Sequence, residues 1–258
     1  MDKFDSIIIG AGHNGLVCAA YLALSGKSVL VLEASRLPGG LAVNREFYPS
    51  FKTSIAHTVS HLSPKIIDDL DLLAHGLEFA SAPLTTVGLD TSGAHVYVHA
   101  DGVRGVSDPD VSSYSKYLRM MNRFAAALRP FWLKLMPRIG SKSIPDLVTF
   151  AHIGLKLRSL GKDDMQEFMR IIALPMRDLM DEFFENELLK ATLSWDGLIG
   201  SNLAPRSPNN AVLGMLYRMA GGPQSQNGAH SIPVGGTGGV IDALVSAATS
   251  GGAEIRMS

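Results

Sequence analysis

Cysteine is almost missing from this chain: Cys18 is the only one in 258 residues. A single thiol excludes an internal disulfide, and it excludes dithiol redox chemistry, which needs two sulfurs exchanging through a disulfide. Cys18 falls on the first predicted helix and is expected there as a buried packing residue. Net charge is also nearly missing, at −1, so bulk charge points neither to nucleic acid nor to an acidic ligand. No uninterrupted apolar run reaches the roughly 18 residues of a membrane-spanning helix. No catalytic triad, HExxH pattern or carboxylate pair can be found. His57 and His61 stand four apart without a third ligand, so no metal is expected. No basic or signal-like leader precedes the first strand, which makes the cytoplasm the expected location, or the mitochondrion in a eukaryote.

What the chain has is glycine at informative places. Phe4-Asp5-Ser6-Ile7-Ile8-Ile9 is an apolar, largely β-branched run that breaks at Gly10-Ala11-Gly12-His13-Asn14-Gly15 and resumes as a helical pattern from Leu16 to Leu24. A second run, Ser28 to Leu32, ends on Glu33, eighteen positions after Gly15. Strand, glycine turn, helix, strand and terminal acid together form a dinucleotide-binding pattern. Gly10 permits the sharp turn, Gly12 lets the backbone approach a pyrophosphate, and Gly15 lets the helix lie close to the sheet. The helix that starts near Asn14 offers unpaired N–H groups and the positive end of its dipole to phosphates. Glu33 can accept both hydroxyl protons of a ribose and would repel a 2′-phosphate, so the ligand should lack that phosphate.

A second glycine pair, Gly39-Gly40, follows six residues after Glu33. A plain NAD site has no requirement for it. The succession Gly10-x-Gly12-x-x-Gly15, Glu33, Arg36-x-x-Gly39-Gly40 resembles the FAD-dependent superfamily of phytoene desaturases, amine oxidases and Rab GDP-dissociation inhibitors. Within it the chain resembles the group named pyridine nucleotide-disulfide oxidoreductase domain-containing protein 2 and its bacterial phytoene dehydrogenase-like homologues. The matching stretches are Ile9 to Leu16, Leu32-Glu33-Ala34, Gly39-Gly40, Tyr48-Pro49-Ser50-Phe51-Lys52, Leu70-Asp71-Leu72 and Asp196 to Gly200. The resemblance implies FAD as cofactor, with Gly39 and Gly40 close to its diphosphate. The expected cofactor-binding set is Gly10, Ala11, Gly12, His13, Asn14, Gly15, Glu33, Ala34, Arg36, Gly39, Gly40 and Leu41. Many relatives carry Arg directly after the glycine pair. Here Leu41 stands there, so one anion contact of those relatives is missing.

Beyond Leu41 a short strand is expected at Val43 to Tyr48, a helix from Pro64 to about His75, and a hairpin of Leu84 to Leu89 with Ala94 to Val98. Ser107-Asp108-Pro109 opens the clearest helix, whose stripe is Tyr114, Tyr117, Leu118, Met121, Phe124, Ala125 and Leu128. Further helices are expected at Ile144 to Ser159, Asp163 to Ala173, Met176 to Leu193 and Asn209 to Ala220. Charge here is polarised. Residues 116–162 hold ten Lys or Arg against Asp146 alone, and residues 163–187 hold eight acids against Arg170 and Arg177. The basic half also contains Pro130-Phe131-Trp132-Leu133-Lys134-Leu135-Met136. Such a surface can rest on anionic lipid, though a solvated basic face is the plainer expectation.

Val234-Gly235-Gly236-Thr237-Gly238-Gly239-Val240 then leads into a helical pattern to Thr249 and a strand near Ile255, read as a return to the nucleotide domain. The expected class is therefore α/β: a Rossmann-type FAD-binding domain over residues 1–80, an inserted hairpin-plus-helical substrate domain over 81–226, and the returning part over 227–258. A doubly wound sheet ending here would leave an edge unpaired and a face uncovered. The sequence is accordingly expected to be the N-terminal half of a protein about twice as long, partnered by its missing half. The function expected is hydride transfer from a hydrophobic small molecule to the flavin, with no catalytic side chain identified. The alternatives are a non-catalytic lipid- or partner-binding protein that kept the fold, and an NAD-dependent dehydrogenase. His57, His61 and His230 can lie near the ring but are expected to be structural.

Overall fold

The computed structural model describes residues 3–55, 62–81, 84–208, 211–221 and 231–258. His57, His61 and His230 lie outside the described residues. The chain opens with β1 (Ser6–Ile9), α1 (His13–Leu24) and β2 (Val29–Glu33), and continues through β3 (Arg45–Tyr48), β4 (Phe51–Thr53), α2 (Pro64–Asp69) and β5 (Phe79–Ser81). Next come β6 (Thr86–Gly88), β7 (Val96–Val98) and β8 (Val103–Arg104). Helices α3 (Asp108–Leu128), α4 (Ile144–Arg158), α5 (Lys162–Ile171), α6 (Met176–Phe183), α7 (Glu187–Leu198) and α8 (Ala211–Gly221) follow. The last part holds β9 (Ile232–Pro233), α9 (Thr237–Ser250) and β10 (Glu254–Met257). Two compact units result: residues 1–84 with 230–258, and residues 85–229.

In the first unit β2 is flanked by β1 and β10, all parallel, with Ser6 opposite Val29 and Glu254 opposite Leu30. Parallel pairing demands crossovers. α1 joins β1 to β2, and α9 leads into β10. α1 buries Leu16, Ala19, Ala20 and Ala23, an i, i+3, i+4, i+7 stripe of mostly small side chains that lets it pack closely on α9. α9 answers with Ile241, Leu244, Ala247 and Ala248 in the same core.

Two expectations are corrected in this unit. Cys18 is exposed rather than buried, because it lies two residues from Leu16 and so on the opposite side of α1 from the buried stripe. The helix from Pro64 ends at Asp69 instead of near His75. Leu70 and Leu72 are both buried, and a helix would point residues two apart to different sides. Asp71 between them takes a left-handed conformation, φ +46°, and turns both inward.

The second unit packs a three-stranded antiparallel sheet, β6-β7-β8, with its helices. The expected hairpin is present, and β8 adds a strand too short to show in the sequence. α3 buries Tyr114, Tyr117, Met121, Phe124 and Ala125 from its stripe, while Leu118 and Leu128 are partly buried against the same core. Phe168 meets Phe124 edge-on at 5.5 Å between ring centroids, and Phe184 meets Tyr117 at 5.4 Å.

The single helix expected over Met176 to Leu193 is two. α6 stops as Phe184 turns to extended backbone, and Asn186 caps α7 by accepting a hydrogen bond from the Leu189 N–H at 2.9 Å. The N–H groups freed at the break donate to the buried Asp110 carboxylate, Glu185 at 2.9 Å and Asn186 at 3.1 Å. Asp110, in the first turn of α3, thus ties the α6–α7 corner to the helix that organises the unit.

Candidate nucleotide-binding site

Gly10 leaves β1 with φ +100°, and its N–H donates to the Leu32 carbonyl at 2.7 Å. Gly15 faces that turn from the first turn of α1. A Cβ on Gly15 would fall well inside contact distance of the Gly10 carbonyl oxygen, so only glycine lets helix and turn approach this closely. Gly12 differs: its backbone is extended, φ −70°, and a Cβ there would meet nothing within 4 Å. Its freedom from a side chain serves open space rather than packing. At the start of α1, His13 and Asn14 are exposed, no side chain caps the helix, and no acid occupies its first turn. Among the described residues no side chain accepts the N–H groups at the start of that helix, an arrangement that suits an anion.

Glu33 ends β2 with its carboxylate drawn back over the turn. Oε2 accepts the Ala11 N–H at 2.7 Å and Oε1 accepts the Ser35 N–H at 2.8 Å. These backbone donors, Ala11 first, hold its carboxyl below the usual carboxylate range, so it stays ionised at neutral pH. The Ser35 side chain and the Ala34 N–H contribute to the same lowering. The acid is thereby fixed in place beside the glycine turn before any ligand arrives.

The second glycine pair joins the first. The Gly39 N–H donates to the Ala11 carbonyl at 2.7 Å, and Gly39 forms a parallel bridge with Gly12. Gly39 sits at φ +121°, with Ile241 and Val43 so near that a Cβ would press on both. Ala34 and Arg36 are exposed between β2 and this pair, and Leu41 is exposed after it. Every expected cofactor-binding residue thus lies on the β1–α1 turn, at the end of β2, or on the loop bridged to that turn.

The sequence reading missed the residues that fasten the late glycine segment. Asn44 Nδ2 donates to the Gly235 carbonyl at 2.6 Å, the Thr237 hydroxyl donates to the Ala42 carbonyl at 3.1 Å, and Ser54 and Thr237 hydroxyls lie 2.6 Å apart. Thr237, buried within a run of glycines, was the available signal, because a polar residue there needs a partner. A cavity of about 290 Å³ opens beside this junction, lined by Gly40, Leu41, Val43, Arg45, Phe47 and Ile55 among others. Its walls are mainly apolar, with Arg45 as the lining cation. Among the described residues no group of three or more His, Cys, Asp or Glu is placed to hold a metal ion.

Comparison with known proteins agrees with this geometry. Residues 8–69 match the NAD(P)-binding Rossmann-like domain family. Over 98% of its length the chain is 32% identical to pyridine nucleotide-disulfide oxidoreductase domain-containing protein 2 of Rattus norvegicus, covering 47% of that protein. Over 46% of its length it is 32% identical to one of the limonene dehydrogenase polypeptides of Castellaniella defragrans, covering 24% of that polypeptide. In structure it is similar to a variant of putrescine oxidase, with a TM-score of 0.55 at 16% identity over 98% of this chain and 50% of that one. The chain spans about half the length of the first curated relatives it matches. The Rossmann-type turn with its bridged second glycine pair thus lies in the stretch that matches the NAD(P)-binding Rossmann-like domain family, and the fold of the chain is similar to that of half of a putrescine oxidase.

Proposed function

We propose that the protein binds FAD on the β1–α1 turn and serves an oxidoreductase that takes a hydride from a hydrophobic substrate. The bridge between Gly12 and Gly39 carries this reading, because it places a second glycine backbone beside the first. A diphosphate lying along the open side of Gly12 would have backbone on both flanks and the N–H groups of His13 and Asn14 at its end. When bound, the flavin supplies a two-electron acceptor at its N5 atom. The chain's own residues bind and orient. Glu33 accepts the ribose hydroxyl protons with the oxygens already steadied by Ala11 and Ser35, and its fixed negative charge turns away a 2′-phosphate. Leu41, Phe47 and Ile55 give the adjoining cavity a mainly apolar lining, with Arg45 as its one cation among the described residues, which favours a largely apolar occupant. Likeness to a limonene dehydrogenase polypeptide supports a hydrocarbon-like substrate class.

The Gly12→Ala variant tests the reading directly. Its methyl group enters open space at an ordinary φ, so the fold should melt within about 1 kcal/mol of the parent. Flavin affinity should fall at least about tenfold, the equivalent of about 1.4 kcal/mol. Absorbance of the purified protein and titration with FAD measure both sides. Colourless parent protein that cannot be reconstituted with FAD refutes the proposal, and saturable NAD binding by that protein would move the reading to a nicotinamide enzyme.

A further inference from the structure

We infer that α4 and the loop before it form a docking surface for an anionic phospholipid bilayer, a conclusion that stands apart from the cofactor reading. α4 is built inside out. Its partly buried positions include Asp146, Thr149, His152, Ile153 and Leu157, and His152 meets Phe131 edge-on at 5.0 Å between ring centroids. Its outward positions Ile144, Leu147, Val148, Ala151 and Leu155 recur at three- and four-residue spacing as one stripe. The large members of that stripe are 75, 52, 62 and 66% exposed, and no residue of the helix is buried. A helix facing water shows the reverse pattern, with polar residues outside. The preceding loop extends the apolar surface, with Leu135 94% and Ile139 95% exposed. So many exposed large apolar side chains in one stretch of chain mark an interaction site.

Charge selects the partner. Lys134, Arg138 and Lys142 on the loop and Lys156 and Arg158 at the end of α4 bracket the stripe, all exposed. Asp146, the one acid between residues 116 and 162, lies on the inner side. An apolar stripe rimmed by cations matches the boundary between acyl chains and anionic headgroups. A second copy docked face to face would bring like charges together. At fifteen residues α4 suits lying in the interface, and among the described residues no helix is long and apolar enough to cross a membrane.

Flotation of the purified protein with vesicles tests this. At low salt it should rise with phosphatidylcholine vesicles containing about one third phosphatidylserine and stay down with phosphatidylcholine alone. The double variant Leu147→Glu with Leu155→Glu, both at exposed positions, should keep the parent's circular dichroism and bind the anionic vesicles at least about tenfold more weakly. Three results would overturn the inference: parent protein that stays down at low salt, equal flotation with neutral vesicles, or a double variant that floats like the parent. A dimer dissolved by the same two substitutions, without flotation of the parent, would instead assign the stripe to a second copy.

Discussion

The nucleotide unit packs backbone against backbone, and the helical unit packs side chain against side chain. In the first, Gly15 lies on the Gly10 carbonyl, Gly39 hydrogen-bonds to Ala11, and small residues of α1 rest on α9. In the second, Tyr117, Met121 and Phe124 interlock with Phe168, Phe184 and Met215. Close backbone approach serves a ligand, because it brings N–H groups and a carboxylate to fixed positions. Side-chain interlocking serves stability and leaves the surface free for other uses. The two units should therefore fail in different ways.

The largest expected effect is at Gly15. Gly15→Ala places a methyl group against the Gly10 carbonyl oxygen, and neither backbone can yield without moving β1 or α1. A loss of about 3 kcal/mol or more is expected, with nucleotide binding abolished. Urea unfolding followed by circular dichroism, and by hydrogen exchange at amides of α1, reads the loss. A variant within about 1 kcal/mol of the parent would show that the turn is looser than its geometry indicates, and the contrast with Gly12→Ala would disappear.

The same contrast explains what could be read from the sequence. The nucleotide turn was legible because its chemistry is local: Gly10, Gly12, Gly15 and Glu33 lie within 24 positions, and each residue type has one structural reason to be there. α3 was legible because its apolar stripe has one period. Cys18 and the end of α2 were not, since both depend on which side of a helix meets a core built from distant residues. The break between α6 and α7 depends on Asp110, some 75 positions away from Glu185, and no local pattern announces it. Asn44, Ser54 and Thr237 were hidden likewise, their partners lying some 180 to 195 residues apart.

An intermediate effect is expected at Asp110, where the helical unit departs from its own rule and relies on a buried polar group. Asp110→Ala leaves the Glu185 and Asn186 N–H groups without their acceptor, at a cost of about 2 kcal/mol. Asp110→Asn retains one carbonyl acceptor and should lose less. Hydrogen exchange at those two amides should quicken in both variants, while amides of the β1–α1 turn keep their rates. Equal quickening in both units would mean that they unfold together, and the comparison would break.

The smallest effect concerns charge. Backbone donors hold Glu33 below the usual carboxylate range. Lys190 and Arg177 do the same for Asp181, Lys190 foremost for Glu187, and Arg170 for Glu167. A carboxyl group with a lowered pKa stabilises the fold above its unfolded value, about 4. That contribution disappears as pH falls through the lower folded value, so acid should weaken both units. Salt should not. The α6–α7 pairs are charge against charge: Arg177, 2.9 Å from both Asp181 and Glu187, is partly exposed and screened by salt, whereas the buried Lys190, 2.6 Å from Asp181, is screened less. The Glu33 bonds go to neutral N–H groups 2.7 and 2.8 Å away and are short-ranged. At neutral pH, molar salt should therefore speed exchange in the α6–α7 region by a small factor and leave Ala11 and Ser35 unchanged. A salt effect at Ala11 and Ser35 matching that at α6–α7 would show that the turn is held by long-range charge after all.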